Sequence, residues 1–275
     1  MRRTCSGERT GASLSAALAE LGRTGRTALI PYCMGGYPSF EESLRLIAGA
    51  AEAGADAIEI GIPFSDPLAD GPTIQAASQA SLDNGFTPSL AIDLVCDVRK
   101  STRVPLVFMT YFNVVLHYGL ERFVADASEA GVDGVIVPDL PMEEAGSWRL
   151  AAGGKLETIY LIAPTSTDSR IEAVVREGEG FIYAVSTTGV TGARGELPQD
   201  LGDFIGRIRV KTDKPICVGF GVSTPDQAKA VSRLANGVIV GSALIDAVRA
   251  GGVEAGVDFV RELRRALDAG EVDAP

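Results

Sequence analysis

Eight short runs rich in β-branched and aromatic residues alternate with helix-period segments from one end of the 275-residue chain to the other. The spacing predicts strands over 28–33, 56–60, 104–109, 134–137, 158–162, 181–185, 215–219 and 238–240. Helical patterns fall at 39–53, 73–84, 89–100, 120–130, 143–152, 168–177, 201–210, 225–234 and 253–267, with one more at 13–21 ahead of the first strand. A helix after each strand is the crossover that parallel pairing requires. Eight such units close naturally into a barrel. An open doubly wound sheet usually has fewer units and a glycine fingerprint after its first strand. Here the first turn reads Met34-Gly35-Gly36-Tyr37-Pro38, which is not G-x-G-x-x-G. The expected fold is α/β, a (β/α)8 TIM barrel with an extra N-terminal helix, spanning 1–275 as one domain with a flexible stretch over 1–11.

Composition narrows the function. Asp and Glu number 36 against 25 Lys and Arg, leaving a net charge of −11. Such a surface argues against nucleic acid or an anionic membrane as partner, since clustered cations supply that affinity. No apolar run approaches the ~20 residues of a membrane span. The start, MRRTCSGERTG, lacks the apolar core of a signal peptide, so a cytoplasmic protein is expected. Four scattered cysteines, Cys5, Cys33, Cys96 and Cys217, fit small core residues in a reducing compartment. His117 is the sole histidine, so no multi-histidine metal site can form; it lies in the loop-like VLHYGL and reads as a surface or partner-facing side chain.

In the second strand, a period of two puts Ile58 and Ile60 on one face and Ala57, Glu59 and Gly61 on the other. With helices outside, the isoleucines face them and Glu59 points inward at the C-terminal end of the strand. An unpaired carboxylate there costs several kcal/mol, roughly, so a purely structural role would need a dedicated partner. The next loop, Gly61 to Thr73, carries Asp66 and Asp70, and either could instead serve turn or capping chemistry. Later turns are rich in glycine: Gly189 to Gly195, Gly219-Phe220-Gly221, and Gly241-Ser242 at a helix start. They read as tight turns or, converging at one end of a barrel, as a phosphate cradle. Together these features describe an acidic barrel enzyme that holds a phosphorylated small molecule. Carboxylates supply its acid–base chemistry, with neither metal nor histidine required, and retro-aldol cleavage fits that kit.

The run GIPFSDPLADGPTIQ, with Glu59 two residues ahead of it, resembles the signature of the tryptophan synthase alpha subunit family. The similarity continues in order through GVDGVIVPDLP, APTSTD, GVTGARG, GFGVSTP and GVIVGSAL. It implies a carbon–carbon lyase that cleaves indole-3-glycerol phosphate to indole and glyceraldehyde 3-phosphate in tryptophan biosynthesis, without a cofactor or metal. By position in the motifs, Glu59 is implied as general acid–base and Asp70 as acceptor of the indole N–H. Tyr183 is implied as a pocket tyrosine beside Glu59. Thr191 and Gly192 are implied in a lid loop, with Thr191 reaching Asp70 when the lid shuts. The resemblance assigns phosphate binding to Gly192, Gly221, Gly241 and Ser242. Tyr32, Ile136, Ile162 and Phe220 match apolar walls around the indole, although each also suits a core. Charge stabilisation at the ring requires Asp70 ionised, in a loop near water that lowers its pKa, while the barrel interior raises that of Glu59. The implied partner is a tryptophan synthase beta subunit in an α2β2 heterotetramer, meeting the loop after the third strand. That loop reads Tyr111 to His117 where the family commonly shows Asn-Pro. A stand-alone lyase releasing free indole and a non-catalytic subunit that activates a partner are the alternatives.

Overall fold

The computed structural model describes residues 13–185, 199–219 and 221–271. Its parallel strands are β1 (Ala28–Met34), β2 (Ile58–Gly61), β3 (Leu106–Met109), β4 (Gly134–Ile136), β5 (Glu157–Ile159), β6 (Leu161–Ile162), β7 (Ile182–Val185), β8 (Ile216–Gly219) and β9 (Gly237–Val240). They pair in the order β5-β4-β3-β2-β1-β9-β8-β7-β6. Because β5 and β6 are separated only by Tyr160, they form two halves of one stave, and the expected eight-stave barrel closes through that residue. Tyr183 N–H donates to the Tyr160 carbonyl at 3.3 Å across the break. The helices are α1 (Leu14–Arg23), α2 (Phe40–Glu52), α3 (Pro72–Asp83), α4 (Pro88–Val98), α5 (Phe112–Tyr118), α6 (Leu120–Ala130), α7 (Gly146–Ala152), α8 (Asp168–Glu177), α9 (Leu201–Arg209), α10 (Pro225–Ser232) and α11 (Ser242–Glu271).

Local chemistry explains most boundaries. The hydroxyls of Ser39, Thr87, Thr167 and Thr224 each accept a backbone N–H at the start of α2, α4, α8 and α10. Pro72 opens α3, where a missing N–H costs nothing. Gly131 ends α6 in the left-handed conformation. One expected loop is a helix instead: α5 covers most of VLHYGL, with His117 exposed in its last turn. It has no capping side chain of its own; a tertiary partner, Asp139 Oδ1, accepts the Phe112 N–H at 2.8 Å. Such a start has no local signature.

Strand alternation builds two apolar layers. Ile58 and Ile60 join the outer layer beneath the helices, with Leu46, Leu94 and Phe108. Ile30, Tyr32, Val107, Met109, Ile136, Tyr183 and Cys217 fill the inside. Helix α1 closes the N-terminal mouth: Leu14 and Leu18 join the inner layer, and Ser15 Oγ donates to Glu157 at 2.7 Å. Cys33 and Cys217 are free and buried, as expected. Cys96 departs from that expectation: it is disulfide-bonded.

At the N-terminal ends of the strands, a polar residue just ahead of one strand repeatedly accepts the first or second N–H of its neighbour. Asp56 takes Leu29 N–H at 2.9 Å, Asp133 takes Leu106 N–H at 2.9 Å, and Asn236 takes Ile216 N–H at 3.0 Å. Arginine completes each: Arg264 at Asp56, Arg99 at Asp133, Arg209 at Asn236. The Arg99–Asp133 pair, 2.6 Å apart with side chains 13% and 11% exposed, also ties the Gly131 and Val104 carbonyls. Asp133→Ala leaves the arginine without its counter-charge and orphans the Leu106 N–H. It should lower unfolding free energy by about 3 kcal/mol. A urea titration that moves by less than about 0.5 kcal/mol, the usual range for surface changes, would discount this anchor.

Candidate active site

Glu59 lies inside the barrel near the end of β2, in register with Tyr32 of β1 and Val107 of β3. It is 0% exposed, and neither carboxylate oxygen finds a hydrogen-bond partner among the described residues. Among the described residues, none is the dedicated partner that a structural carboxylate would need. Burial without compensation pushes its pKa up to about 8, so at neutral pH it carries a proton.

Asp70 sits in the loop between β2 and α3, 7% exposed. It is not a cap: Gly71 occupies that position, with no side-chain cap bond. Its Oδ2 accepts from the Tyr111 hydroxyl at 3.1 Å, and its carbonyl accepts from Gln75 Nε2 at 2.8 Å. The expectation of a lowered pKa is corrected. Burial raises it to about 6, against a smaller downward pull from the Tyr111 hydrogen bond. Although Ser65, Asp66 and Leu68 of this loop are exposed, the Asp70 side chain itself is buried, so the low-pKa setting expected of a loop near water does not hold there. Even so, Glu59 remains the weaker acid. Asp66, by contrast, is exposed and accepts from Ser65 Oγ at 2.5 Å, a local turn contact.

Two tyrosines cross the interior, and two inward-facing glycines make room for them. A Cβ built on Gly61, at the end of β2, would lie 2.0 Å from Tyr32 Oη. One built on Gly219, at the end of β8, would lie 2.5 Å from Tyr183 Oη. Both rings are buried, at 6% and 3% exposure. Burial holds both hydroxyls well above the usual phenol range, and the charges of Glu59 and Asp70 add to this. They remain neutral donors. Gly241 differs from these glycines. Among the described residues, a Cβ there would meet nothing nearer than Tyr32 Cβ at 3.6 Å, so their packing does not require glycine at that turn. Gly241 precedes α11, and its carbonyl accepts the Leu244 N–H at 2.9 Å, leaving buried Ser242 in the first turn. Gly221 has φ +108 just past β8.

Ile136 of β4 lines the interior with Tyr32 and Tyr183. The structure places Ile162 elsewhere: it packs with the outer layer, and its neighbour Leu161 packs with the inner one. The break at Tyr160 leaves Leu161 as the inward residue of β6. Thr191, Gly192 and Phe220 lie outside the described residues, as does 1–11. The sequence reasoning missed Tyr111. Its signal was parity, because positions 107, 109 and 111 share one face across the end of β3. Among the described residues, no cluster of three or more His, Cys, Asp or Glu could hold a metal.

The family described as Tryptophan synthase alpha chain matches residues 18–269. The chain is 46% identical over 245 residues to the tryptophan synthase alpha chain of Dehalococcoides mccartyi, covering 88% of this chain and 96% of that one. It is 50% identical over 230 residues to that of Chloroflexus aggregans, covering 83% and 86%. Among solved structures, a chain of Mycobacterium tuberculosis tryptophan synthase superposes with a TM-score of 0.87 at 38% identity, covering 94% of this chain and 99% of that one. The tryptophan synthase subunit alpha of Legionella pneumophila gives 0.86 at 30% identity, covering 94% and 100%. With a barrel of this topology, these inward carboxylates and similarity along nearly its whole length, the chain belongs to the tryptophan synthase alpha chain family.

Proposed function

We propose how this site carries out the reaction of its family. The protein is a lyase that cleaves indole-3-glycerol phosphate to indole and glyceraldehyde 3-phosphate in tryptophan biosynthesis. The observation that carries the residue assignment is the buried Glu59, unpartnered among the described residues, at the same barrel end as Asp70 and Tyr183. Glu59 delivers its proton to the ring carbon that bears the glycerol chain, and positive charge spreads to the ring nitrogen. The Asp70 carboxylate accepts the ring N–H and stabilises that charge. The carbon–carbon bond then breaks, and its electron pair returns to the ring. The adjacent glycerol hydroxyl becomes the aldehyde as its proton passes to the Glu59 carboxylate. One proton is lent and returned, so no redox group is required. Tyr183 and Tyr32 bound the ring, with Ile136 as an apolar wall. Phosphate is held by the Gly221 and Gly241-Ser242 turns, in keeping with the space left at Gly241.

The partner we assign is a tryptophan synthase beta subunit, in an α2β2 assembly in the cytoplasm. Leu68, 88% exposed in the loop before α3, and Leu116, 53% exposed in α5, support an interface at this end. Those two segments already meet, as Ala69 N–H donates to Tyr111 Oη at 3.0 Å. No helix among the described residues is long and apolar enough to cross a membrane.

The test is to incubate purified protein with indole-3-glycerol phosphate, with and without a beta subunit, and to measure indole across pH. Activity needs Asp70 ionised, so it rises as pH passes about 6; it needs Glu59 protonated, so it falls as pH passes about 8. A kcat/KM profile flat from pH 5 to 9 would contradict these roles. A chain that binds a beta subunit yet forms no indole in any condition would favour the partner-activating alternative.

A further inference from the structure

We propose that Tyr111 is a positioning residue that relays a main-chain N–H to Asp70 and so keeps the Asp70 carboxylate charged and oriented for the lyase step. The Tyr111 hydroxyl accepts the Ala69 N–H at 3.0 Å and donates to Asp70 Oδ2 at 3.1 Å. Since a hydroxyl has one proton, accepting from the main chain leaves that proton for the carboxylate. The phenol is fixed from two sides. Its ring lies 5.2 Å from that of Phe64 in the same loop as Asp70, and the next residue, Phe112, is pinned through its N–H to Asp139. Tyr111 is 6% exposed, and burial together with the Asp70 charge keeps its hydroxyl protonated.

The surroundings of Asp70 show why such a relay is needed. Tyr32 of β1, Glu59 of β2 and Tyr183 of β7 surround this barrel end, and Asp139 of the loop after β4 faces Tyr111. All are acids, and none of these described neighbours is a cation. Burial opposes ionisation of Asp70, and among the described residues the hydrogen bond from Tyr111 is the one influence that favours it. A carboxylate meant to stabilise a positive ring nitrogen would otherwise drift toward its neutral form near physiological pH.

The inference rests on Asp70 acting as an anion in the lyase reaction, but its test does not require turnover. In the substrate-free full-length protein, carbon-detected NMR should show the Asp70 carboxyl titrating about one pH unit higher in Tyr111→Phe than in the wild type. The acid limb of kcat/KM should move by the same amount, giving a loss of about fivefold at pH 6 that approaches tenfold at lower pH and shrinks toward pH 8. In an Asp70→Asn background, Tyr111→Phe should add no further loss. Should Tyr111→Phe fold poorly, 3-fluorotyrosine in place of Tyr111 keeps the ring, donates more strongly and should shift the Asp70 midpoint downward. An unmoved midpoint in both proteins, a loss uniform across pH, or a full additional loss beside Asp70→Asn would overturn the relay. Absence of indole from the wild-type protein would instead count against the lyase assignment.

Discussion

Glu59→Gln should reduce indole formation by roughly 10²–10⁴-fold, the range for a positioned acid–base group, while ligand binding persists because the amide keeps the shape of the carboxyl. The same substitution should stabilise the fold. Glu59 titrates near 4.5 when exposed and near 8 when folded, so the folded state holds a proton that the unfolded state has released. Stability is therefore fully retained below about pH 4.5 and declines as pH climbs to about 8. Glutamine has no such proton to lose. At pH 7 the variant should gain up to about 3 kcal/mol, and below pH 4.5 the gain should vanish. Steady-state indole assays with ligand titration, beside urea unfolding at pH 4 and 7, measure both halves. Wild-type turnover in the variant removes Glu59 from the mechanism. Equal stability at pH 7 shows that the buried carboxyl carries no cost.

The placement of Glu59 was legible in the sequence because strand period two and a barrel with outer helices leave only one inward face. Ile58 and Ile60 pack outside, as that parity requires. The eight staves were legible for the same reason: each strand is a short, nearly continuous apolar run, as doubly covered parallel strands must be. Three features were not legible, each because a distant contact decides it. The start of α5 depends on Asp139, so no capping residue announces it. The burial of Asp70 depends on how its loop meets Tyr111, which raised a pKa that local composition suggested would fall. The inward residue of β6 is Leu161 because the stave breaks at Tyr160, a bend written in pairing to β4 and β7 and not in the run itself.

Gly219→Ala should cut activity about a hundredfold and leave the barrel folded, because the nearest atoms the added methyl meets all belong to the one tyrosine, Tyr183, at the proposed site. Its Cβ would come within 2.5 Å of Tyr183 Oη, 2.6 Å of Cε1 and 2.8 Å of Cζ. A rigid ring cannot absorb that overlap by moving its tip alone. Tyr183 is 3% exposed, with the Phe181 ring 6.1 Å away, so it must shift as a unit within the barrel interior it shares with Tyr32. That interior is where we propose the substrate ring is held. Overpacking of this kind costs about 1–3 kcal/mol, and here the displaced group borders the reacting atoms. Tyr183→Phe should not relieve the clash, since Cε1 and Cζ stay in place. Tyr183→Leu in the Gly219→Ala background should recover part of the lost rate, although Tyr183→Leu alone is harmful. Measuring kcat and KM for the four proteins of this cycle decides the point, with circular dichroism to confirm folding. Additive losses would mean that the glycine and the tyrosine act independently, and that Gly219 is small for the ligand alone.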